Sequence, residues 1–108
     1  MFGFLKSLFG GGQREEPQEK IEAKIELYKA DWCPHCKTAA RFLVKIPADD
    51  VRVYDVDRDK GRAQEMVKRT GGRTSIPQIF INDVHIGGST DLVRAAQSGR
   101  LNQVLGLS

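Results

Sequence analysis

Cysteine is scarce in this 108-residue chain: there are two, standing as Cys33-Pro34-His35-Cys36. A disulfide framework of the secreted kind carries more cysteines, set farther apart. A bridge across so short a loop also takes little entropy from the unfolded chain. Structural stapling therefore does not explain the pair, and reactivity does. Metal-ligating residues are equally sparse. No second Cys-x-x-Cys accompanies the first, and His85 is the only histidine besides His35. A four-ligand zinc site within one chain would need all of them, with His35 inside the loop itself, so no metal is expected. Charge of one sign is missing too. The 17 Lys and Arg against 14 Asp and Glu leave a formal charge of +3, and the basic residues are spread among acids. A nucleic-acid partner would be expected to gather them, so none is expected. A weakly positive surface still favours small anions.

The chain has length for one domain, and a 40% hydrophobic content is enough for one modest core. Its first part divides sharply by composition. Met1 to Phe9 is apolar and holds three of the five phenylalanines. Gly10-Gly11-Gly12 and the polar run Gln13 to Lys20, with Pro17 inside it, read as a flexible linker. The expected organisation is an N-terminal segment and linker over residues 1–20 and one folded domain over residues 21–108. At about 100° per residue, Met1, Phe2, Phe4, Leu5, Leu8 and Phe9 fall on one side of a helix, opposite Gly3, Lys6, Ser7 and Gly10. Nine such residues make only about 14 Å of helix, too short to cross a bilayer. An early basic region, a long apolar run and a small-residue cleavage site are all lacking, so no signal peptide is expected. Two readings of Met1 to Phe9 stand. It is a docking peptide for a membrane surface or a partner's groove, or a short helix folded back on its own domain or frayed from it.

Within the domain, Ile25 to Tyr28 reads as a strand. Pro34 to Lys45 carries Ala39, Ala40, Leu43 and Val44 at helical spacing, with Pro34 suited to the first turn and Pro47 as the stop. Val51 to Val56 makes a second strand. Arg62 to Thr70 makes a charged helix ended by Gly71-Gly72. Gln78 to Ile81 and Val84 to Ile86, joined by Asn82-Asp83, form a hairpin. Asp91 to Gln97 is a further helix, and Leu101 to Leu105 adds a last turn. The order β-α-β-α-β-β-α pairs the first two strands in parallel through a helix and the last two as an antiparallel hairpin. The expected fold is α/β, a mixed four-stranded sheet flanked by helices in the thioredoxin-like arrangement.

A Cys-x-x-Cys where a strand meets a helix has a specific chemical meaning. Cys33 sits at the helix N-terminus, where unpaired N–H groups and the helix dipole favour an anion and hold it as the nucleophilic thiolate. Cys36 lies one turn further in and more buried, within reach of a mixed disulfide on Cys33. Pro34 stiffens the turn, and His35 adds charge or a hydrogen bond. Trp32 reads as an apolar cover on one side. A second constellation is Thr74-Ser75-Ile76-Pro77 before the strand from Gln78. A proline there is at the least a strand-start residue. Read as a cis bond beside the dithiol, Ile76-Pro77 leaves the Ile76 backbone free to pair with an extended, peptide-like substrate. The third is Gly87-Gly88-Ser89-Thr90-Asp91. Its glycines permit close approach and its helix start offers N–H groups to a carboxylate, with Thr90 or Ser89 as N-cap.

In this order and spacing, Cys33-Pro34-His35-Cys36, Thr74-Ser75-Ile76-Pro77-Gln78-Ile79-Phe80-Ile81 and Gly87-Gly88-Ser89-Thr90-Asp91 resemble the glutaredoxins, over roughly Ile25 to Leu105. The resemblance implies a glutathione-dependent thiol–disulfide oxidoreductase of a reducing cytoplasm, peripheral to a membrane if Met1 to Phe9 docks there. Its partners would be glutathione, as co-substrate, and glutathionylated or disulfide-bonded proteins. It makes Cys33 the nucleophile and Cys36 the resolving thiol. Glutathione would lie between the dithiol loop with His35, Ile76-Pro77, and the residues Gly88, Ser89, Thr90 and Asp91. Ile76 would pair with its backbone, the helix start would take its γ-glutamyl carboxylate, and Asp91 the ammonium. Departures from the family pattern stand out. His35 replaces the usual tyrosine, and Ala30 holds the place of the lysine that contacts the glycyl carboxylate. Lys29, one residue early, or Arg73 or Gln64 would substitute for it. The segment Thr70 to Ser75 is one residue longer than usual, and Ser89 stands where many members carry another cysteine. Two rival readings share the fold: an electron donor reduced by thioredoxin reductase, or an oxidant, and a protein sharing an iron–sulfur cluster between two chains. The Gly87 to Asp91 pocket favours glutathione over the first, and the stiff Pro34 turn argues against the second.

Overall fold

Residues 20–107 are described by the computed structural model, so the expectations for Met1 to Phe9 and for residues 10–19 lie outside the described residues. Eight elements follow in the order β1 (Ile21–Lys29), α1 (Pro34–Leu43), β2 (Ala48–Asp55), α2 (Lys60–Arg69), β3 (Gln78–Ile81), β4 (Val84–Gly87), α3 (Ser89–Ser98) and α4 (Arg100–Leu105). The sheet runs β2-β1-β3-β4. β1 pairs with β2 in parallel and with β3 antiparallel, and β3 with β4 antiparallel. This is the expected mixed sheet, with the last turn grown into a separate short helix.

Both faces of the two central strands, β1 and β3, are covered, and the period of two along them sorts the residues between the faces. Ile25 and Leu27 of β1 and Ile79 and Ile81 of β3 share one core with Ala39 and Leu43 of α1, Leu92 and Ala95 of α3, and Leu101 and Leu105 of α4. The alternate residues Tyr28 and Phe80 point to the other face, where Met66 of α2 meets them. Tyr28 packs there 4.9 Å from the Tyr54 ring and 5.9 Å from Phe80, centroid to centroid. The same face buries Glu26, which Arg69 holds from α2. A glutamate in a strand signals solvent by its type, and only the arrival of Arg69 makes it a core residue.

Several boundaries depart from expectation for identifiable reasons. β1 and β2 begin earlier than their apolar stretches, because Ile21 N–H donates to Pro47 O at 2.8 Å and Ala23 N–H to the Asp49 carboxylate at 3.0 Å. α1 ends at Leu43 rather than Lys45. Lys45 N–H and Ile46 N–H instead close shorter i→i−3 turns onto Phe42 O and Leu43 O. α3 starts at Ser89, with Gly88 as its N-cap rather than Thr90 or Ser89. Gly88 has no side chain to cap with, so the Asp91 carboxylate reaches back to accept from Gly88 N–H at 2.9 Å, half of a capping box. Gly87 permits this approach: its φ is +115°, and a Cβ there would run into the Asp91 carboxylate.

Candidate functional site

The two thiols are placed by the start of α1. Cys33 is its N-cap, in extended conformation, with Pro34 following at the first helical position. The Cys33 sulfur does what a serine or aspartate oxygen does at other helix starts: it accepts the Cys36 N–H at 3.2 Å. That donor is one of the four N–H groups that a helix leaves unpaired, and it is aimed where a thiolate would carry its charge. Both thiols are free and buried, each 3% exposed. The expectation that Cys36 would be the more buried is therefore corrected: Cys33 is equally buried, with Ile76 O facing its sulfur. Burial, reinforced by the Cys33 sulfur beside it, pushes the Cys36 thiol up to about 12, so Cys36 rests protonated.

Ile76-Pro77 is a cis peptide, as expected, and it lies against the dithiol. The Cys33 thiol faces Ile76 O at 3.9 Å, and Ile76 N–H has no protein partner among the described residues. From this contact a groove of about 230 Å³ extends away from α1, lined by His35 and Arg73 and by the segments 75–78 and 88–91. It brings together His35, Ile76, Pro77, Gly88, Ser89, Thr90 and Asp91. The N-terminus of α3 forms one wall. Arg73 lies in it and makes no ion pair with any described residue.

Two residues singled out for a carboxylate lie elsewhere. Lys29 turns away from the groove: its ammonium is 2.6 Å from Asp31 and 3.6 Å from Asp55, and these contacts hold its pKa above the ordinary lysine value. It borders a separate depression of about 200 Å³ on the far side of the dithiol, beside Cys36. Gln64 lies on α2 with Glu65, Lys68 and Arg69. Trp32 is no cover for the site. It is 67% exposed, with its indole N–H donating to Asp57 at 2.8 Å. Among the described residues no three His, Cys, Asp or Glu side chains come together in a metal-binding group.

A brace beneath the loop was not foreseen. Gln78, 2% exposed, donates from its amide nitrogen to Ser75 O at 3.1 Å. A carbonyl can only accept, so the amide oxygen faces the other way, toward His85 Nε2 at 2.7 Å. His85 must therefore be the donor, with its proton on Nε2. Its ring stacks on Phe80, 4.9 Å between centroids. Burial first, then the nearby Arg73 charge, lowers the imidazole pKa and favours this neutral form. The signal available was Gln78 itself, a polar residue opening an otherwise apolar strand.

Comparison with known proteins agrees with this geometry. The glutaredoxin family profile matches residues 25–86. A probable glutaredoxin of Synechocystis is 38% identical over 85 residues, covering 79% of this chain and 96% of that protein. Glutaredoxin 3 of Escherichia coli is 36% identical over 83 residues, covering 77% and 98%. The solution structure of a glutaredoxin from Brucella melitensis superposes with a TM-score of 0.63 at 30% identity, over 85% of this chain and 96% of that one.

Proposed function

The chain belongs to the glutaredoxin family, a family of thiol–disulfide oxidoreductases, and on that premise we propose that it uses glutathione to reduce glutathione mixed disulfides and protein disulfides in a reducing cytoplasm. The observation that carries the reading is the meeting at Cys33: a sulfur capping α1, facing Ile76 O, at the head of a groove that ends on the N-terminus of α3.

In the first step the Cys33 thiolate attacks the glutathione sulfur of a protein–glutathione disulfide. The old S–S bond breaks, the protein leaves as a thiolate that takes a proton, and Cys33 carries the glutathione. A second glutathione thiolate then attacks that glutathione's sulfur, forming oxidised glutathione and returning Cys33 as thiolate. In the dithiol route Cys36 attacks the Cys33 sulfur instead, releasing glutathione and leaving a Cys33–Cys36 disulfide. Cys36, protonated in the reduced protein, must lose its proton to make this attack.

The groove supports a binding mode. The Ile76 N–H, which has no protein partner among the described residues, is open to an extended peptide backbone, and the α3 N-terminus offers N–H groups to the γ-glutamyl carboxylate. Gly88 gives close approach, and Ser89 and Thr90 line that end. Asp91 would take the ammonium through the carboxylate oxygen not given to Gly88. His35 borders the cysteinyl end. Arg73, a groove cation with no ion pair among the described residues, is the residue we assign to the glycyl carboxylate in place of Lys29.

The test is glutathione-coupled reduction of a small mixed disulfide, followed as NADPH consumed through glutathione reductase. Wild type and Cys36→Ser should turn over and Cys33→Ser should not. No turnover in wild type, with activity restored by thioredoxin reductase, would overturn the glutathione reading.

A further inference from the structure

Among the described residues, an uncovered apolar surface lies on the flank of β2, away from the groove beside the dithiol. β2 is an edge strand. Val51 and Val53 stand opposite Ile25 and Leu27, so they continue the core face outward, where no described helix lies over them. Both are 54% exposed, and Val44 at the end of α1 is 78% exposed. Together with Leu43, Ile46 and Pro47 they line a trough of about 430 Å³, a volume in the range of small ligand clefts. The trough shares Leu27, Ala40 and Val53 with the depression that reaches Cys36, so one apolar channel runs from α1's end to the resolving thiol. A contiguous apolar surface of this kind marks a contact site.

We propose that the occupant is this chain's own Met1–Phe9 segment, folded back as a strap along α1 and β2. Two observations favour it over an outside partner. Lys20, the first described residue, itself lines the trough, so the chain departs from the trough's own margin. Ten residues, 10–19, separate Lys20 from Phe9, a length of chain that reaches at most about 36 Å. A tether that short holds the segment at an effective concentration of order millimolar, so modest apolar contact suffices. The segment is also suited to the trough: six of its nine residues are Met, Phe or Leu and fall on one helical side. The proposal is independent of the thiol chemistry.

The experiment is a comparison of amide NMR spectra of the full chain and a Leu5→Glu/Leu8→Glu variant, whose changes lie outside the described core. The expected result is shift differences clustered at residues 43–53, unchanged on tenfold dilution. Val51→Glu, at an exposed edge position, should reciprocally move the resonances of residues 1–9. Coincident spectra would overturn the proposal. So would differences that vanish on dilution, which would assign the segment to the trough of a second copy. Coincident spectra together with sedimentation on phosphatidylglycerol vesicles, lost in the double variant, would give the segment to a membrane surface instead.

Discussion

Arg69 grips Glu26 with two hydrogen bonds of 3.1 Å, one from each terminal nitrogen, while its guanidinium carbon lies 3.8 Å from the Phe80 ring centroid. The pair sits on the sheet face opposite the dithiol helix. Tyr54 adds a hydrogen bond to the same carboxylate at 3.0 Å, and Arg69 also donates to the Tyr28 hydroxyl at 2.8 Å. Glu26 is 6% exposed, so its charge depends on these partners.

Arg69→Met should therefore cost about 3 kcal/mol, because it leaves a buried carboxylate with only the more distant Lys24 ammonium, at 3.9 Å, as its cation. Urea unfolding measures it. The double variant Glu26→Leu/Arg69→Met should recover much of that loss, since the larger part is the stranded charge rather than the attraction removed. A double variant as unstable as the single one would contradict this. Turnover per folded molecule should change little, because neither residue touches the groove.

His85 makes stability sensitive to mild acid. Its folded pKa lies below the ordinary value of 6.5, chiefly through burial, so the unfolded chain takes up its proton first. The contribution is complete above pH 6.5 and is lost as pH falls through the folded value. The urea midpoint should fall between pH 7 and pH 5, and His85→Gln, which keeps a donor but does not titrate, should flatten that slope. An unchanged slope would place the acid sensitivity elsewhere.

Arg73 should set glutathione affinity. Arg73→Glu is expected to raise KM for glutathione about tenfold, equivalent to about 1.4 kcal/mol, with kcat nearly unchanged, since the contact is made equally in ground and transition states. Lys29→Glu, altering a residue that points away from the groove, should move KM far less. The reverse ranking would restore Lys29 as the carboxylate ligand.

What the sequence made legible was local. The dithiol, the Ile76-Pro77 loop and the Gly87 to Asp91 turn are each contiguous, and each carries its chemistry in residues next to one another. The strand and helix order was readable because apolar periods of two and 3.6 change at Pro and Gly. The hidden parts were long-range pairings of polar residues. Glu26 and Arg69 are 43 positions apart, and nothing in either stretch announces the other. Lys29 looked available because lysine usually reaches water; Asp31 from the following loop and Asp55 from β2 claim it. Trp32 looked like a cover because it is large and apolar, but Asp57 offers its indole a partner at the surface. The N-cap of α3 is hidden because hydroxyl residues are the usual caps, while here Gly88 takes the position and Asp91 reaches back to it.

One atom, the Cys33 sulfur, caps a helix and is the atom that attacks substrate in the proposed reaction. A thiolate accepts an N–H more strongly than a disulfide sulfur does, so in that reaction a load of glutathione on Cys33 would weaken the bond that holds the first turn of α1. The redox state of Cys33 would then be felt in the backbone that begins α1.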